Sequence, residues 1–177
     1  MKHLVETALS LVLPQFRLDV NHGWHGIAHW SRVWRNGKEL CEAMGEDPTV
    51  PCLFAFLHDS QRFDEGTDYL HGPRAAEWIG KLFYDNKLSI KASDYSSLVT
   101  AIAGHSDGET EESPIVQICW DSDRLDLGRV GVTPDPLRLC TEHAKKEDTI
   151  RRAWNRSIGQ KQSHIYNHAE EPVIVTG

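Results

Sequence analysis

Apolar residues recur at intervals of three and four along most of the chain, the spacing that places them on one face of an α-helix. The first such run spans 3–16, and Pro14 is expected to end or kink that helix. A second run spans 26–44 and is followed by Gly45, which suits a helix end because glycine tolerates left-handed dihedral angles. The pattern therefore predicts two amphipathic helices before residue 46.

The third predicted helix differs from these two because almost every position in it is apolar. Asp47 and Pro48 suit its start, and the pair His58-Asp59 stands at its end. A helix that is apolar all round is expected to be buried on every side. The remaining predicted helices span 73–83, 93–104, 115–125, 137–140 and 142–158.

The sequence predicts neither β-strands nor internal repeats. No stretch alternates clearly between apolar and polar residues, and no motif returns at a constant period. The fold class predicted is therefore all-α, an irregular bundle of helices. With 177 residues, one domain is expected over 1–159, and 160–177 is interpreted as a tail because its apolar residues show no periodicity.

Charge and cysteine content narrow the function classes. The 26 acidic residues outnumber the 19 basic ones, which gives a formal net charge of -7, and no long Lys/Arg run occurs. These features argue against a nucleic-acid-binding protein. Four widely spaced cysteines are interpreted as buried small residues in a reducing compartment, and no signal peptide or membrane span is predicted. A cytoplasmic protein is expected.

The dipeptide His58-Asp59 is the strongest indication of chemistry. Burial of a carboxylate without a partner costs several kcal/mol, on the order of the penalty for any unpaired buried charge, and a bound metal ion removes that cost. Imidazole and carboxylate ligands suit Mn, Fe, Co, Ni or Zn, and the carboxylate also suits Mg. His29 lies upstream in a predicted helix, and His25 precedes it by four residues on the same helix face. His25 is interpreted either as structural or as a contact to a ligand or substrate.

The order His29, His58-Asp59 and Asp123 resembles the H…HD…D signature of HD-domain metal-dependent phosphohydrolases. The segments HGIAHWSRV and ICWDSDRLDLG, which carry His29 and Asp123, are similar to the corresponding family segments, and the resemblance covers roughly residues 22–131. It implies an HD-domain helical bundle in which helix ends bring together His29, His58, Asp59 and Asp123 as metal ligands. Asp121 is the second choice for the last ligand, because helical periodicity does not decide between the two aspartates.

Two further histidines raise the question of a second ion. His71 and His105 occupy places that resemble those of second-metal ligands in some HD subfamilies, so the resemblance implies one or two divalent ions. The alternatives are that these histidines contact substrate phosphate or lie at the surface.

The charged loop 61–72 follows the His58-Asp59 pair directly and is interpreted as the rim of the site. Arg62 is a candidate for bidentate phosphate binding. Glu65 and Asp68 are candidates for positioning a water molecule or transferring a proton. The spacing does not decide which acid acts, and a solvated surface loop is the alternative interpretation.

The function predicted from these features is a metal-dependent phosphohydrolase acting on a small phosphorylated metabolite, with a nucleotide as the leading candidate. Two alternatives come from other classes: a di-iron oxygenase of HD type, and a non-catalytic protein that binds a metal or nucleotide. The expected partner is a small molecule rather than a nucleic acid or a membrane, and assembly into a homodimer stays open.

Overall fold

The computed structural model describes residues 1–159, and this part of the chain is helical without strands. The seven α-helices are α1 (Lys2–Val12), α2 (Ile27–Met44), α3 (Thr49–Leu57), α4 (His71–Tyr84), α5 (Ala92–Gly104), α6 (Pro114–Arg124) and α7 (Glu147–Gly159). Two short 3₁₀ turns lie between α6 and α7, at Leu127–Val130 and Pro136–Arg138. The predicted all-α class is confirmed, and the predicted tail 160–177 lies outside the described residues.

Helix α3 is the centre of the bundle. Each residue from Val50 to Leu57 is buried, and the helix packs against α1, α2, α5 and α6. This environment matches the nearly continuous apolar run of its sequence, which leaves no face for solvent. The main chain that leaves α3 therefore delivers the next two residues, His58 and Asp59, into the middle of the molecule.

Helix α2 ends where its sequence predicts. Gly45 adopts a left-handed conformation with φ 72°, and its N–H donates to the carbonyl of Cys41. This conformation is strained for residues with a Cβ, so glycine terminates the helix at low cost.

Two predicted helix starts are wrong by two residues or more. Helix α4 begins at His71 rather than Pro73, which places His71 in its first turn. Helix α7 begins at Glu147 rather than Glu142, because Thr141 is engaged in other hydrogen bonds. The Thr141 hydroxyl accepts the N–H of Ala144 and itself donates to the carboxylate of Asp121, which holds this segment as a turn.

The start of α4 lies unusually close to the end of α5, and Gly72 makes this approach feasible. A Cβ at Gly72 would lie 2.7 Å from the carbonyl oxygen of Ile102 and 2.9 Å from that of Ala103, inside normal contact distances. Because the side chain is absent, His71 and His105 at the two helix ends can face each other.

Arg156 makes the most extensive polar contacts between α7 and the rest of the bundle. Arg156 donates to Asn36 and to the carboxylate of Glu39, both on α2. Asn36 in turn donates to the carbonyl of Ser122 on α6. The three helices are thereby linked through buried or partly buried polar contacts.

The cysteines behave as predicted from their spacing, as free thiols. Cys41, Cys52 and Cys119 are buried, and Cys140 is partly buried. Burial raises the pKa of Cys41, Cys52 and Cys140 to about 12, so these thiols stay protonated at neutral pH.

A search of the described helices for a bilayer-crossing segment finds none with the necessary length and apolar character.

Candidate metal centre

Three helix ends meet at one point beside α3. His29 lies in the first turn of α2, His58 and Asp59 directly follow α3, and Asp123 lies in the last turn of α6. Their side chains are buried apart from that of Asp123, which is 17% exposed. The structure thus brings together all four residues that the sequence marked as candidate ligands.

The four polar atoms are separated by distances typical of ligands to one ion. His29 Nε2 lies 3.2 Å from His58 Nε2, 3.5 Å from Asp59 Oδ2 and 3.4 Å from Asp123 Oδ1. His58 Nε2 lies 3.1 Å from the same Asp59 oxygen and 3.8 Å from that of Asp123. Atoms that bind one ion at about 2.0–2.2 Å are separated by about 3.0–3.5 Å in tetrahedral or octahedral sites.

The outer contacts of the histidines determine which nitrogen carries the proton. His58 Nδ1 lies 3.1 Å from the carbonyl oxygen of Phe54, and His105 Nδ1 lies 2.8 Å from that of Ile102. Because carbonyl oxygens only accept, both Nδ1 atoms must carry hydrogen. The same holds for His71, whose Nδ1 contacts the carbonyl of Asp68. In the neutral form of each of these rings, the lone pair therefore lies on Nε2, the nitrogen that faces inward.

His29 is held in the same tautomer by a carboxylate. Its Nδ1 lies 2.7 Å from Asp126 Oδ2, and Arg32 binds both oxygens of that carboxylate, at 2.6 and 3.0 Å. A carboxylate behind a metal-binding histidine orients the ring and makes its free nitrogen more basic. In the sequence, Asp126 follows Asp123 by one helical turn, which makes it a candidate for such an outer contact, whereas nothing in the sequence indicates this role for Arg32.

A divalent ion fits this donor set. The Nε2 atoms of His29 and His58 are lone-pair acceptors in contact with each other, which is unfavourable unless a cation or proton lies between them. Asp123 Oδ1 is buried and accepts no hydrogen bond from the described residues. Burial opposes ionisation of Asp59, yet the neighbouring His58 and the surrounding imidazoles hold the pKa of its carboxyl well below the usual range. A cation satisfies all these atoms at once.

Asp121 lies outside this cluster. Its Oδ1 accepts the N–H of Cys140 at 2.7 Å, and its Oδ2 accepts both the N–H and the hydroxyl of Thr141 at 2.8 Å. All three donors belong to the segment before α7, so Asp121 joins α6 to that segment. The geometry therefore favours Asp123 over Asp121 as the ligand, in agreement with the resemblance.

A second cluster uses the other oxygen of Asp59. Asp59 Oδ1 lies 3.3 Å from His71 Nε2 and 3.8 Å from His105 Nε2, and the two Nε2 atoms are 2.8 Å apart. The structure thus places both histidines beside the first cluster rather than at the surface. Asp59 is shared between the two clusters through its two oxygens.

The rim residues have distinct surroundings. Asp68 binds Arg74 and accepts the N–H of Phe63 at 3.0 Å, while its carbonyl holds His71. These contacts favour a positioning role for Asp68 over the predicted proton transfer. Glu65 is 37% exposed, and its Oε2 lies 2.5 Å from His25 Nδ1.

His25 is buried beside the first cluster, with its ring 6.1 Å from that of His29. Burial lowers the pKa of His25 to about 4, so the imidazole is neutral at pH 7 and donates through Nδ1 to Glu65. Of the two interpretations of His25, the structure favours a residue of the site.

One residue of the site gave no signal in the sequence. Arg129 lies in the 3₁₀ turn after α6, and its Nη1 is 3.9 Å from both Asp123 Oδ1 and Asp126 Oδ2. Its Nε donates to the carbonyl of Trp24 at 3.2 Å. An isolated arginine in a loop has no periodicity or motif to reveal it, so only the tertiary structure places it here.

The contact behind His29 leads to a prediction. Replacing Asp126 with asparagine should weaken metal affinity by about 10–100-fold, because a neutral amide supports the His29 ring less strongly than the carboxylate does. Titration with Co²⁺ or Mn²⁺ measures this change. Asp135→Asn makes the same chemical change at an exposed turn and serves as the control. Equal affinities in the two variants would show that Asp126 does not support the ligand.

Comparison with known proteins identifies the fold. No protein-family model matches the chain, and no curated protein gives a significant match. Among solved structures, the chain is similar to a predicted HD superfamily hydrolase from an uncultured Thermotogales bacterium, with 23% identity, a TM-score of 0.63 and coverage of 90% of this chain and 87% of that one. It is also similar to a Lactobacillus plantarum protein, with 21% identity, a TM-score of 0.53 and coverage of 96% of this chain and 69% of that one. The helical-bundle fold implied by the H…HD…D resemblance is therefore confirmed, and the chain shares the fold of these two solved structures.

Proposed function

We propose that this HD-domain protein is a metal-dependent phosphohydrolase that acts on a small phosphorylated metabolite, with nucleotides as the leading substrate class. The observation that carries the proposal is the convergence of two histidine lone pairs and two carboxylates at the meeting point of three helix ends. His29, His58, Asp59 and Asp123 would hold the ion. HD-type hydrolase chemistry also agrees with the similarity to the Thermotogales protein, a predicted HD superfamily hydrolase.

A divalent ion held by these residues would supply Lewis-acid activation of a phosphoryl oxygen and of a water nucleophile. The chain's own residues have separate tasks. Asp126 and Arg32 keep His29 in the tautomer whose Nε2 faces the cluster. Phe54 does the same for His58 through its carbonyl, and also stacks on the ring at 4.8 Å.

Binding of an anionic substrate needs local positive charge, because the net charge of the chain is -7. Two arginines supply it. Arg62 contacts Asp59 in the second cluster, and Arg129 lies beside Asp123 with its side chain 11% exposed. Guanidinium groups bind phosphoryl oxygens through paired N–H donors, which supports a phosphorylated substrate.

The rim offers one route for a proton. Glu65 is partly exposed and hydrogen-bonded to the buried His25, so the pair links solvent to the side of the cluster that carries His29. We assign Glu65 with His25 to proton transfer, and Asp68 to the support of His71. The two acids differ in exposure: the side chain of Glu65 is 37% exposed, whereas that of Asp68 is 9% exposed and is bound by Arg74.

The nucleotide class is supported by an exposed aromatic ring at the rim. Trp24 is 57% exposed, and its carbonyl is tied to Arg129. An exposed indole on a residue whose main chain contacts Arg129 suits a substrate that carries a planar group, since stacking on an indole is favourable.

The proposal is tested by incubating the purified protein with nucleoside mono-, di- and triphosphates and cyclic nucleotides, each with Mn, Fe, Co, Ni, Mg or Zn. Phosphate release and product identity by chromatography are the measurements. Release that needs a metal and disappears in His58→Ala supports the proposal. Oxygen consumption with iron and no phosphate release would instead indicate the oxygenase alternative, and nucleotide binding without turnover would indicate the non-catalytic one.

A further inference from the structure

The turn that precedes α2 is closed by its own hydrogen bonds. The side chain of Asp19 accepts two N–H groups of the turn through Oδ1, at 2.9 and 3.0 Å, and its carbonyl accepts the N–H of Gly23 at 2.9 Å. The carbonyl of Val20 accepts the N–H of Ile27, the first residue of α2, also at 2.9 Å. These contacts fix the position of Gly23 relative to α2.

Gly23 lies directly against the carboxylate of Glu65, which belongs to the loop after α3. A Cβ at Gly23 would lie 2.2 Å from Glu65 Oε1 and 2.5 Å from the carbonyl oxygen of Asp19, both far inside normal contact distances. Gly23 is not one of the glycines with a positive φ. Glycine is therefore required here for space rather than for its range of dihedral angles.

The two oxygens of the Glu65 carboxylate have different surroundings. Oε2 lies 2.5 Å from Nδ1 of the buried His25, whereas Oε1 lies against the main chain at Gly23. His25 follows Gly23 by two residues in the same turn. One turn thus contacts both oxygens, and the position of the carboxylate depends on the room that the turn leaves for it.

The main chain on both sides of Glu65 is also fixed. Asp64 Oδ1 accepts the N–H of Gly66 at 2.7 Å, and the carbonyl of Gly66 accepts a hydrogen bond from Arg62 at 2.6 Å. The remaining freedom of Glu65 lies in its side-chain torsions, each of which has several staggered states. An added side chain at Gly23 would therefore move the carboxylate to another rotamer.

We propose that Gly23 is a positioning residue for Glu65: the missing side chain leaves the space in which the carboxylate meets His25 Nδ1. The catalytic consequence rests on the proposed function, in which Glu65 with His25 transfers protons. A proton-transfer group acts only within hydrogen-bond reach of its partner, and a misplacement of about 1 Å can cost on the order of 100-fold in rate.

The contact itself is tested by Gly23→Ala in protein labelled with ¹⁵N at histidine. Long-range ¹H–¹⁵N spectra at pH 7 should show a hydrogen-bonded Nδ1 proton on His25 in the wild type. In Gly23→Ala this proton should move upfield and exchange faster with water, because the methyl group displaces the carboxylate. Gly159→Ala is the matched control, since a Cβ at Gly159 has no atom within 4 Å, and it should leave the signal unchanged.

The catalytic consequence is tested by steady-state kinetics on a phosphorylated substrate. Gly23→Ala should lower kcat by about 100-fold and change KM little, because neither Gly23 nor Glu65 is a proposed metal ligand. The double variant Gly23→Ala/Glu65→Ala should match Glu65→Ala alone, because the methyl group then has no carboxylate to displace. Retention of Mn²⁺ after desalting should be the same in all these proteins.

An unchanged His25 signal in folded Gly23→Ala, or no hydrogen-bonded Nδ1 proton in the wild type, would overturn the inference. A further loss of kcat when Gly23→Ala is added to Glu65→Ala would also overturn it, since the turn itself would then be distorted. If circular dichroism shows that Gly23→Ala is unfolded, the double variant decides. A folded double variant supports the contact with the carboxylate, and an unfolded one refutes it.

Failure of the inference can be told apart from failure of the proposed function. The His25 signal does not depend on turnover. Its change in Gly23→Ala, together with no phosphate release by the wild type from any compound, would support the role of Gly23 and refute the phosphohydrolase.

Discussion

Replacing Asp59 with alanine is expected to eliminate metal retention and hydrolytic activity together. One oxygen of Asp59 contacts His29 and His58, and the other contacts His71 and Arg62. Its loss removes a ligand of the first cluster and the negative charge that balances Arg62. The loss in metal affinity should exceed the roughly 10–100-fold that follows from removing an outer contact.

Metal analysis after desalting, with phosphate release as the second measurement, checks this result. Asp85→Ala is the matched control, because Asp85 is exposed and its one ion pair within residues 1–159 is with Lys87, at 3.7 Å. A folded Asp59→Ala protein that keeps a stoichiometric ion and full turnover would refute the assignment of the centre.

The second large effect distinguishes the two aspartates of α6. Asp123→Asn should lose the ion, because a neutral amide is a much poorer ligand than a carboxylate and Asp123 Oδ1 has no other hydrogen-bond partner among the described residues. Asp121→Asn should keep the ion but lower the free energy of unfolding by about 1–3 kcal/mol, since a buried carboxylate that accepts three hydrogen bonds is replaced by a group with fewer acceptor sites.

Each variant is therefore the control for the other. Metal titration and denaturant unfolding are carried out on both proteins. We expect metal affinity to fall in Asp123→Asn and the free energy of unfolding to fall in Asp121→Asn. Loss of the ion in Asp121→Asn with retention in Asp123→Asn would mean that the ligand is Asp121.

The helical fold is predictable here because burial follows the period of the helix. The apolar run before His58 predicts a helix surrounded on all sides, and α3 has that position. The predicted start of α7 is wrong because a residue distant in sequence determines it. Asp121 accepts the main-chain N–H groups of Cys140 and Thr141, about twenty residues further on, and these contacts keep the segment before α7 out of the helix. Local periodicity contains no information about such a contact.

In the candidate site, too, some residues can be predicted from the local sequence and others cannot. His58 and Asp59 stand out because histidine and aspartate at the end of an apolar helix are costly without a partner, whereas His29 is indicated by the family resemblance. The choice between Asp121 and Asp123 needed coordinates, since both positions of α6 face the interior. The sequence also does not indicate in which direction a long side chain in a loop points. Arg62 was predicted at the rim, but it turns inward to Asp59.

The way in which the four imidazoles are held has a consequence for how the centre can change by mutation. Those of His58, His71 and His105 are held by main-chain oxygens, which every amino acid possesses, so no single replacement of the acceptor residue deletes those contacts. Only His29 depends on a side chain, Asp126. Gradual adjustment of metal affinity during evolution or laboratory selection is therefore concentrated at one position, while the other three rings change only if a helix end moves.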